Sequence, residues 1–146
     1  MSAETVPRPA LPRHRIAVLI TAAGRGTRMG SEVPKQWLAL GDRSVLARSI
    51  AAFAGFDRIV VTVHPDDMDH AIGELGGRVT LVAGGATRSD SVRAGLEVLE
   101  GSGITHVLIH DAARPLVPAT LVARVIAAVR AGHAAVVPVL PVIDSI

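Results

Sequence analysis

The sequence predicts an α/β protein with a doubly wound, mostly parallel, Rossmann-like sheet and helices on both faces. Three observations lead to this prediction. Short β-branched runs alternate along the chain with segments of helical periodicity. The runs are continuously apolar, which is typical of strands covered on both faces of a parallel sheet. Right-handed crossovers through the intervening helices then join one strand to the next.

Five apolar runs are predicted as strands. They are Ile16–Thr21, Arg58–Val63, Val79–Ala83, His106–His110 and Ala134–Val139. Ligands of doubly wound sheets bind outside the carboxyl ends of the strands. The loops after the first four strands are therefore the places to expect a binding site.

Four helices are predicted between and after these strands. Ser44 is the expected N-cap of the first, and Pro65 fits the first position of the second. The third runs from Ser89 to Leu99, and Pro118 opens the longest helix. The acidic residues near the start of the second helix are expected to serve its N-terminus and not to bind a metal; they are Asp66, Asp67 and Asp69.

The composition points to one globular domain over residues 14–146, preceded by a disordered tail over residues 1–13. The chain has 49% hydrophobic and 19% charged residues, which does not fit a disordered chain. It has no cysteine, which excludes disulfides, thiolate metal sites and a cysteine nucleophile. Arginines and prolines interrupt its most apolar stretch, residues 121–146, so no membrane span is expected. A cytoplasmic location is the default expectation.

The charge is concentrated in one part of the chain. The first 48 residues carry eight basic and three acidic side chains, whereas the remainder is net acidic. This distribution favours a localised anionic ligand over a polyanion. A nucleic-acid partner is not expected, because the chain has three aromatic residues and a single lysine, Lys35.

A glycine- and arginine-rich loop follows the first predicted strand. It reads A-A-G-R-G-T-R-M-G over residues 22–30 and is followed by P-K-Q over residues 34–36. Its small residues let the backbone approach a ligand closely. Arg28 and Lys35 add the fixed positive charge that phosphoryl and nucleotidyl transfer require. The spacing fits neither the Walker A motif nor the G-x-G-x-x-G dinucleotide fingerprint.

Two further motifs follow the third and fourth strands. The segment G-G-A-T-R-S-D-S-V over residues 84–92 predicts a turn that enters a helix capped by Thr87 or Ser89, and a lip for a base and ribose. In H-D-A-A-R-P over residues 110–115, Asp111 can hold Mg²⁺ or a sugar hydroxyl, and Arg114 can bind a phosphate. His106 and His110 share a strand face and could form a metal pair, although core or rim histidines are the favoured interpretation.

In this order the three motifs resemble the 2-C-methyl-D-erythritol 4-phosphate cytidylyltransferases, a family within the nucleotidyltransferases of sugar and alditol phosphates. The resemblance covers residues 15–146. It implies the fold of the nucleotide-diphospho-sugar transferases and the transfer of CMP from CTP to 2-C-methyl-D-erythritol 4-phosphate with release of pyrophosphate. This reaction is a step of non-mevalonate isoprenoid synthesis. Mg²⁺ as cofactor and a homodimeric full-length form are also implied.

The resemblance assigns roles to individual residues. It implies that Arg28 and Lys35 stabilise the transition state, and that Arg114 and Ser145 contact the phosphate of methylerythritol phosphate. It places Asp111 beside the ribose and the metal. The implied nucleotide-binding residues are Ala22, Ala23, Gly24, Arg25, Gly26, Gly85, Ala86, Ser91, Asp111 and Ala112.

Two departures from the family pattern leave alternatives open. Ala86 stands where the family often has an aspartate. The family also continues beyond the length of this chain, so the chain is expected to be truncated at its C-terminus, to bind CTP weakly and not to turn over. The alternatives are a ribitol 5-phosphate cytidylyltransferase, a sugar 1-phosphate nucleotidyltransferase, and a truncated, non-catalytic CTP-binding module.

Overall fold

The computed structural model describes residues 15–26 and 32–143. The described residues divide into two compact units, one within residues 15–116 and one within residues 117–143. We describe each unit by itself. In the larger unit the strands are β1 (Ile16–Ala22), β2 (Ala39–Leu40), β3 (Arg43–Ser44), β4 (Ile59–Val63), β5 (Thr80–Ala83) and β6 (His106–Asp111), and the helices are α1 (Val45–Ala51), α2 (Met68–Leu75) and α3 (Arg88–Glu97).

A four-stranded parallel sheet forms the centre of the larger unit. Its strand order is β5-β4-β1-β6, so the chain adds two strands on one side of β1 and then crosses to the other side. Every pairing is parallel. Strands β1 and β4 are almost entirely buried, which explains their continuously apolar sequences. This arrangement confirms the predicted fold class.

Helices approach the sheet from both faces. On one face α3 lies so close to β1 that a Cβ added at Gly95 would sit 2.3 Å from Leu19 Cδ1. The cluster on this face contains Leu19, Val60 and Leu99. On the other face the ring of Phe53, which follows α1, contacts the ring of His110 with 5.0 Å between centroids. Both faces are thus covered, as a doubly wound sheet requires.

The helix starts follow the sequence closely. The Ser44 hydroxyl accepts a hydrogen bond from the amide of Ala47 and caps α1. Pro65 opens a 3₁₀ helix, Pro65–Asp67, that leads into α2. Of the two predicted caps of α3, Thr87 is the one used, and it forms a capping box with Asp90.

The smaller unit consists of α4 (Ala119–Arg130) and the segment that follows it. Pro118 occupies the N-cap position of α4, the longest helix of the described chain, so it opens this helix as predicted. The prediction of a strand over residues 134–139 was wrong, because these residues pair with no neighbouring strand in the structure. A strand needs a neighbour for its amide groups, and Pro138 lacks an amide hydrogen. Accordingly, the side chains of Val137 and Val139 are about four-fifths exposed, at 77% and 82%.

Two short elements between β1 and α1 were not predicted. Residues Lys35–Trp37 form a 3₁₀ helix, and the strands β2 and β3 pair as an antiparallel hairpin just before α1. Gly41, with φ of +71°, makes the turn of this hairpin. Both elements are too short to produce a recognisable hydrophobic period, which is why the sequence pattern does not show them.

Candidate active site

The candidate site lies at the carboxyl edge of the sheet, next to the point where the strand order reverses. There β1 and β6 end side by side, with Thr21 in register with Asp111. The Thr21 hydroxyl donates a hydrogen bond to Asp111 Oδ1 at 3.2 Å. This is the crevice at which doubly wound sheets bind their ligands. The loops after β1, β5 and β6 therefore form one edge.

Gln36 holds the described part of the loop after β1. Its side chain is 6% exposed, and its Nε2 donates to the carbonyl oxygens of Ala22 at 2.9 Å and Gly24 at 3.0 Å. Gly26 has φ of +61°, a conformation that favours glycine. The stem of Lys35 lies beside it, since a Cβ added at Gly26 would be 3.9 Å from Lys35 Cγ. The P-K-Q segment thus lies against the glycine-rich loop, as its sequence position suggested.

The loop after β5 packs tightly on the loop after β1. A Cβ added at Gly84 would be 2.4 Å from Ala23 Cβ and 2.8 Å from Ser91 Oγ, so only glycine fits there. The Gly84 amide also donates to the Val63 carbonyl at 2.7 Å, which fixes the turn to the end of β4. The two small-residue motifs are therefore adjacent in space.

Ser91 is buried beneath this turn and uses its hydroxyl to hold it. The hydroxyl accepts from the amide of Gly85 at 3.1 Å and donates to the carbonyl of Thr87 at 3.1 Å. Its side chain is 2% exposed. In this structure Ser91 therefore shapes the lip from below, whereas Gly85 and Ala86 lie on the lip itself.

Asp111 binds an arginine that the sequence reasoning left without a role. Arg88, the first residue of α3, donates to Asp111 Oδ1 from Nε at 3.1 Å and from Nη2 at 2.8 Å. Arg114 Nε lies 3.9 Å from Asp111 Oδ2. Burial raises the pKa of Asp111, but the hydrogen bonds and charge of Arg88, together with the Thr21 hydrogen bond and the charge of Arg114, outweigh it, so the net shift is downward. The carboxylate is therefore ionised and faces two guanidinium groups.

The segment after β6 is fixed by backbone contacts on the opposite face. The Ala112 carbonyl accepts a hydrogen bond from the buried hydroxyl of Ser49 at 2.7 Å, and the Ala112 amide donates to Thr21. His110 Nε2 lies 2.9 Å from the Arg114 carbonyl, so this nitrogen carries the proton and donates it. Burial lowers the pKa of His110. These contacts support a rim histidine and not a metal pair with His106.

Arg25 is directed toward the loop after β4. Its Nη1 donates to Asp67 Oδ1 and its Nη2 to Asp66 Oδ2, both at 3.1 Å. The two aspartates lie in the first turn of their 3₁₀ helix, as predicted, and in addition form this ion pair. No local sequence pattern indicates the pair, because the partners are more than forty residues apart.

The structure brings together most of the predicted site residues. The described members of the set lie in the three loops at the carboxyl edge or in the strand and helix ends next to them. Arg28 and Ser145 lie outside the described residues. Arg88 and Gln36 lie inside the predicted motifs but were given no role. Their positions within those motifs are the sequence feature that indicates them. Thr21 carried no such signal, because it ends an apolar strand.

A magnesium ion fits this edge only together with a bound triphosphate. Over residues 15–26 and 32–143 no group of three or more histidine, aspartate or glutamate side chains could hold a metal ion. Asp111 can contribute one carboxylate oxygen, Oδ2. Mg²⁺ is commonly held by one or two carboxylates together with substrate phosphates, so a single carboxylate suits that mode of binding.

The sheet order and the small-residue loops at its carboxyl edge define an α/β domain of the nucleotidyltransferase fold. A family model described as "IspD: 2-C-methyl-D-erythritol 4-phosphate cytidylyltransferase" matches residues 16–146. The chain belongs to this family, which confirms the resemblance inferred from the motifs.

Two curated relatives and one solved structure illustrate the similarity. The "Bifunctional enzyme IspD/IspF" of Paracoccus denitrificans (strain Pd 1222) is 63% identical over 130 residues, covering 89% of this chain and 34% of that protein. The "2-C-methyl-D-erythritol 4-phosphate cytidylyltransferase" of Cereibacter sphaeroides (strain KD131) is 50% identical over 136 residues, covering 89% and 60%. The crystal structure of the protein of that name from Thermus thermophilus superposes with a TM-score of 0.68 at 40% identity, covering 89% and 56%.

The chain spans only part of the length of these relatives, 34% of one and 60% of the other. The activity of the whole protein is therefore taken up below as a proposal. In the described part of the chain, no helix combines the length and the apolarity needed to cross a membrane.

Proposed function

We propose that this chain provides the nucleotide-binding part of an enzyme that transfers CMP from CTP to 2-C-methyl-D-erythritol 4-phosphate. Membership of the family supports the proposal. The observation that carries it is the close packing of two small-residue loops, at Gly84 and Ala23, beside the Thr21–Asp111 pair. Small residues at this edge let backbone amides approach a nucleotide closely, whereas bulky side chains would keep the nucleotide away from the backbone.

The proposed reaction is an in-line displacement at phosphorus. A phosphate oxygen of the acceptor attacks the α-phosphorus of CTP and forms the new P–O bond. The bond from the α-phosphorus to the bridging oxygen breaks, and pyrophosphate leaves with that oxygen. Negative charge increases on the phosphate oxygens as the bonds change. Lys35, beside Gly26, and Arg28 would supply the positive charge that stabilises this transition state.

The loops would divide the binding of the two substrates. Backbone groups at Ala22, Ala23 and Gly85 would hold cytidine, in a lip that Ser91 supports from below. The end of β6, at Asp111 and Ala112, would meet the ribose. The remaining proposed contacts are Gly24, Gly26 and Ala86 to the nucleotide, and Arg114 and Ser145 to the acceptor phosphate.

Arg88 adds a condition to this assignment. It occupies Asp111 Oδ1 in the structure, so a ligand at Asp111 has to use Oδ2 or displace the arginine. Asp111 Oδ2 would hold Mg²⁺ together with triphosphate oxygens. A bound Mg²⁺ would neutralise part of the triphosphate charge. A cytoplasmic location and a homodimeric full-length form remain predictions.

The test is steady-state release of pyrophosphate with CTP and methylerythritol phosphate, measured for this chain and for longer forms of the protein. In a form that turns over, release should require both substrates and should be about 10²–10³ slower in Lys35→Ala. Preference for ribitol 5-phosphate or a sugar 1-phosphate as acceptor would instead identify one of the alternative transferases. Binding of CTP without pyrophosphate release in any form would identify a non-catalytic module.

A further inference from the structure

Asp67 connects two segments of the candidate site that the sequence separates. Its side chain is 13% exposed and lies at the end of the 3₁₀ helix after β4. One carboxylate oxygen, Oδ1, accepts from Arg25 Nη1 at 3.1 Å. The other, Oδ2, accepts from Trp37 Nε1 at 3.1 Å. A single carboxylate thus joins the loop after β1 to the turn that carries Lys35.

The Arg25 end of this connection is held by further contacts from the same helix. Arg25 Nη2 donates to Asp66 Oδ2 at 3.1 Å and lies 2.8 Å from His64 Nδ1. The amide of Asp66 donates to the same Nδ1 at 3.1 Å. That nitrogen therefore faces two donors, the Asp66 amide and Arg25 Nη2, which share its one lone pair. The guanidinium group is therefore oriented by three groups and is already partnered.

The Trp37 end is held from its other side by α2. The ring of His70 meets the ring of Trp37 edge-on, with 4.5 Å between centroids. His70 Nε2 lies 3.2 Å from Glu74 Oε2, one turn further along the helix. Glu74 in turn accepts a hydrogen bond from the hydroxyl of Ser44. The indole is thus fixed between the Asp67 carboxylate and a side chain that is itself held.

We infer that Asp67 is a positioning residue that keeps the turn bearing Lys35 against the glycine-rich loop. The inference rests on the proposed function, because the purpose of this contact is to hold Lys35 and Gly26 together for a triphosphate. Trp37 lies two residues after Lys35, and Arg25 directly precedes Gly26. Asp67 binds both Trp37 and Arg25. It therefore holds the segment that carries Lys35 close to the segment that carries Gly26. Small displacements of such groups cost large factors in rate and binding, because the charge must be in place before the ligand arrives.

The first experiment uses Trp37, the only tryptophan of the chain, as a reporter that needs no ligand. Asp67→Asn leaves one carbonyl oxygen where two carboxylate oxygens accepted, so it cannot accept from both Arg25 and Trp37 through separate oxygens. Acrylamide should therefore quench the emission of Trp37 more strongly in Asp67→Asn than in the parent. The matched control is Asp69→Asn, which removes the same charge from an exposed position in the first turn of α2. Equal quenching in both variants would overturn the inference.

The second experiment measures the affinity for CTP by calorimetry. Asp67→Asn should weaken it by roughly tenfold through the loss of positioning, whereas Asp69→Asn should leave it unchanged. Trp37→Phe keeps a ring beside His70 but loses the indole donor, and should weaken CTP binding in the same direction. Because the two changes break one contact, the double variant should be little worse than the weaker-binding single variant. Full additivity would contradict the inference.

The two experiments separate this inference from the proposed function. If the parent chain does not bind CTP, the proposed nucleotide site is wrong, and the quenching comparison alone decides the role of Asp67. If CTP binds equally well to Asp67→Asn and Asp69→Asn, the site stands and the positioning role is rejected.

Discussion

At the residue scale, Asp111 and His110 are adjacent in sequence and face different surroundings. Asp111 lies on the face of the sheet that α3 covers and pairs with Arg88. His110 lies on the opposite face against Phe53 and donates to a backbone carbonyl. This alternation follows from the two-residue period of a strand. It places one charged and one neutral polar group at the same point of the sheet edge.

The lowered pKa of His110 predicts how the free energy of unfolding depends on pH. Burial holds this pKa below the ordinary value of 6.5, despite the hydrogen bond to the Arg114 carbonyl and the nearby Asp111. Well above pH 6.5 the imidazole is neutral in both the folded and the unfolded chain. Below it the unfolded chain binds the proton more readily, so the free energy of unfolding should fall as the pH decreases. Urea unfolding from about pH 7.5 down to about pH 5 covers the range in which histidine titrates and measures this slope.

The matching variant is His110→Gln, which retains a side-chain amide donor but does not titrate. Its free energy of unfolding should change less over the same pH range than that of the parent. A steeper decrease in the variant would show that the pKa of His110 is raised and not lowered. Asp111 adds a further loss only at lower pH, because its depressed pKa makes the unfolded chain the better proton acceptor below about 3.8.

Lys35 makes a prediction for catalysis. In a form of the enzyme that turns over, Lys35→Ala should lower kcat by about 10²–10³, the typical cost of one preorganised donor, and affect CTP affinity less. Arg28→Ala should lower kcat by a similar factor. Lys35→Arg should recover only part of the rate, because a planar fork replaces a point charge. Initial rates of pyrophosphate release provide the measurement.

The control for Lys35→Ala is Arg58→Ala, which removes one positive charge from an exposed residue just before β4, at the end of the strand away from the candidate site. This variant should keep the parent kcat. If Lys35→Ala retains more than half of the parent kcat, its proposed role in the transition state is wrong.

At the scale of elements, glycine sets how closely α3 approaches β1. A Cβ at Gly95 would lie 2.3 Å from Leu19 Cδ1 and 3.2 Å from Leu19 Cγ, and Leu19 is fully buried. Gly73 in α2 has no atom within 4 Å of its added Cβ. Both glycines therefore lie within a helix, but a side chain would meet the core at Gly95 and no neighbouring side chain at Gly73. Their comparison isolates packing from helix propensity.

The corresponding prediction is that the free energy of unfolding changes in opposite directions in two glycine-to-alanine variants. Gly95→Ala should destabilise the protein by about 1–3 kcal/mol, because a packed core cannot take the added methyl group without displacement. Gly73→Ala should stabilise it by about 0.5–1 kcal/mol through helix propensity. Denaturant unfolding of the two variants and the parent provides the test. A stabilising Gly95→Ala would mean that α3 does not pack on β1 as described.

The loops show the same dependence on small residues. Gly84 allows the turn after β5 to touch Ala23 at the end of β1, and the hydrogen bonds of Ser91 keep that turn in place. These two motifs therefore meet because each contains a residue small enough for a close approach. The chemistry of the site is carried by loops, and its precision comes from the strands that end beneath them.

At the scale of the whole molecule, ligand binding should stabilise the folded chain according to the choice of base. A lip of backbone groups can accept a hydrogen bond from the cytosine amino group, whereas UTP has a carbonyl there and leaves the acceptor unpaired. We expect CTP to bind more tightly than UTP by about 1–3 kcal/mol. At equal concentrations CTP should then raise the thermal midpoint of unfolding more than UTP does.

Thermal unfolding with each nucleotide, in the presence of Mg²⁺, measures this difference. Inorganic triphosphate serves as the control for charge alone and should raise the midpoint less than CTP. Equal shifts with CTP and UTP would favour the sugar 1-phosphate nucleotidyltransferase alternative over the proposed cytidylyl transfer.

Much of the fold and part of the candidate site follow from the sequence by itself. Continuous apolar runs determine four parallel strands, and Ser44, Pro65 and Pro118 determine where helices begin, because these signals are local. The motif string determined the family. It also placed Ala22, Gly85 and Asp111 at the sheet edge, since the ends of parallel strands meet there.

Only the tertiary structure decided which distant groups meet. The pairing of Arg88 with Asp111 and the connection of Arg25 to Trp37 through Asp67 depend on strand order and on side-chain directions that no local pattern encodes. The same holds for residues 134–139, where a strand-like sequence remains unpaired. A strand forms only when a neighbouring strand satisfies the hydrogen bonds of its backbone groups. An apolar pattern therefore indicates a preference for strand structure, and the presence of a neighbouring strand decides whether the strand forms.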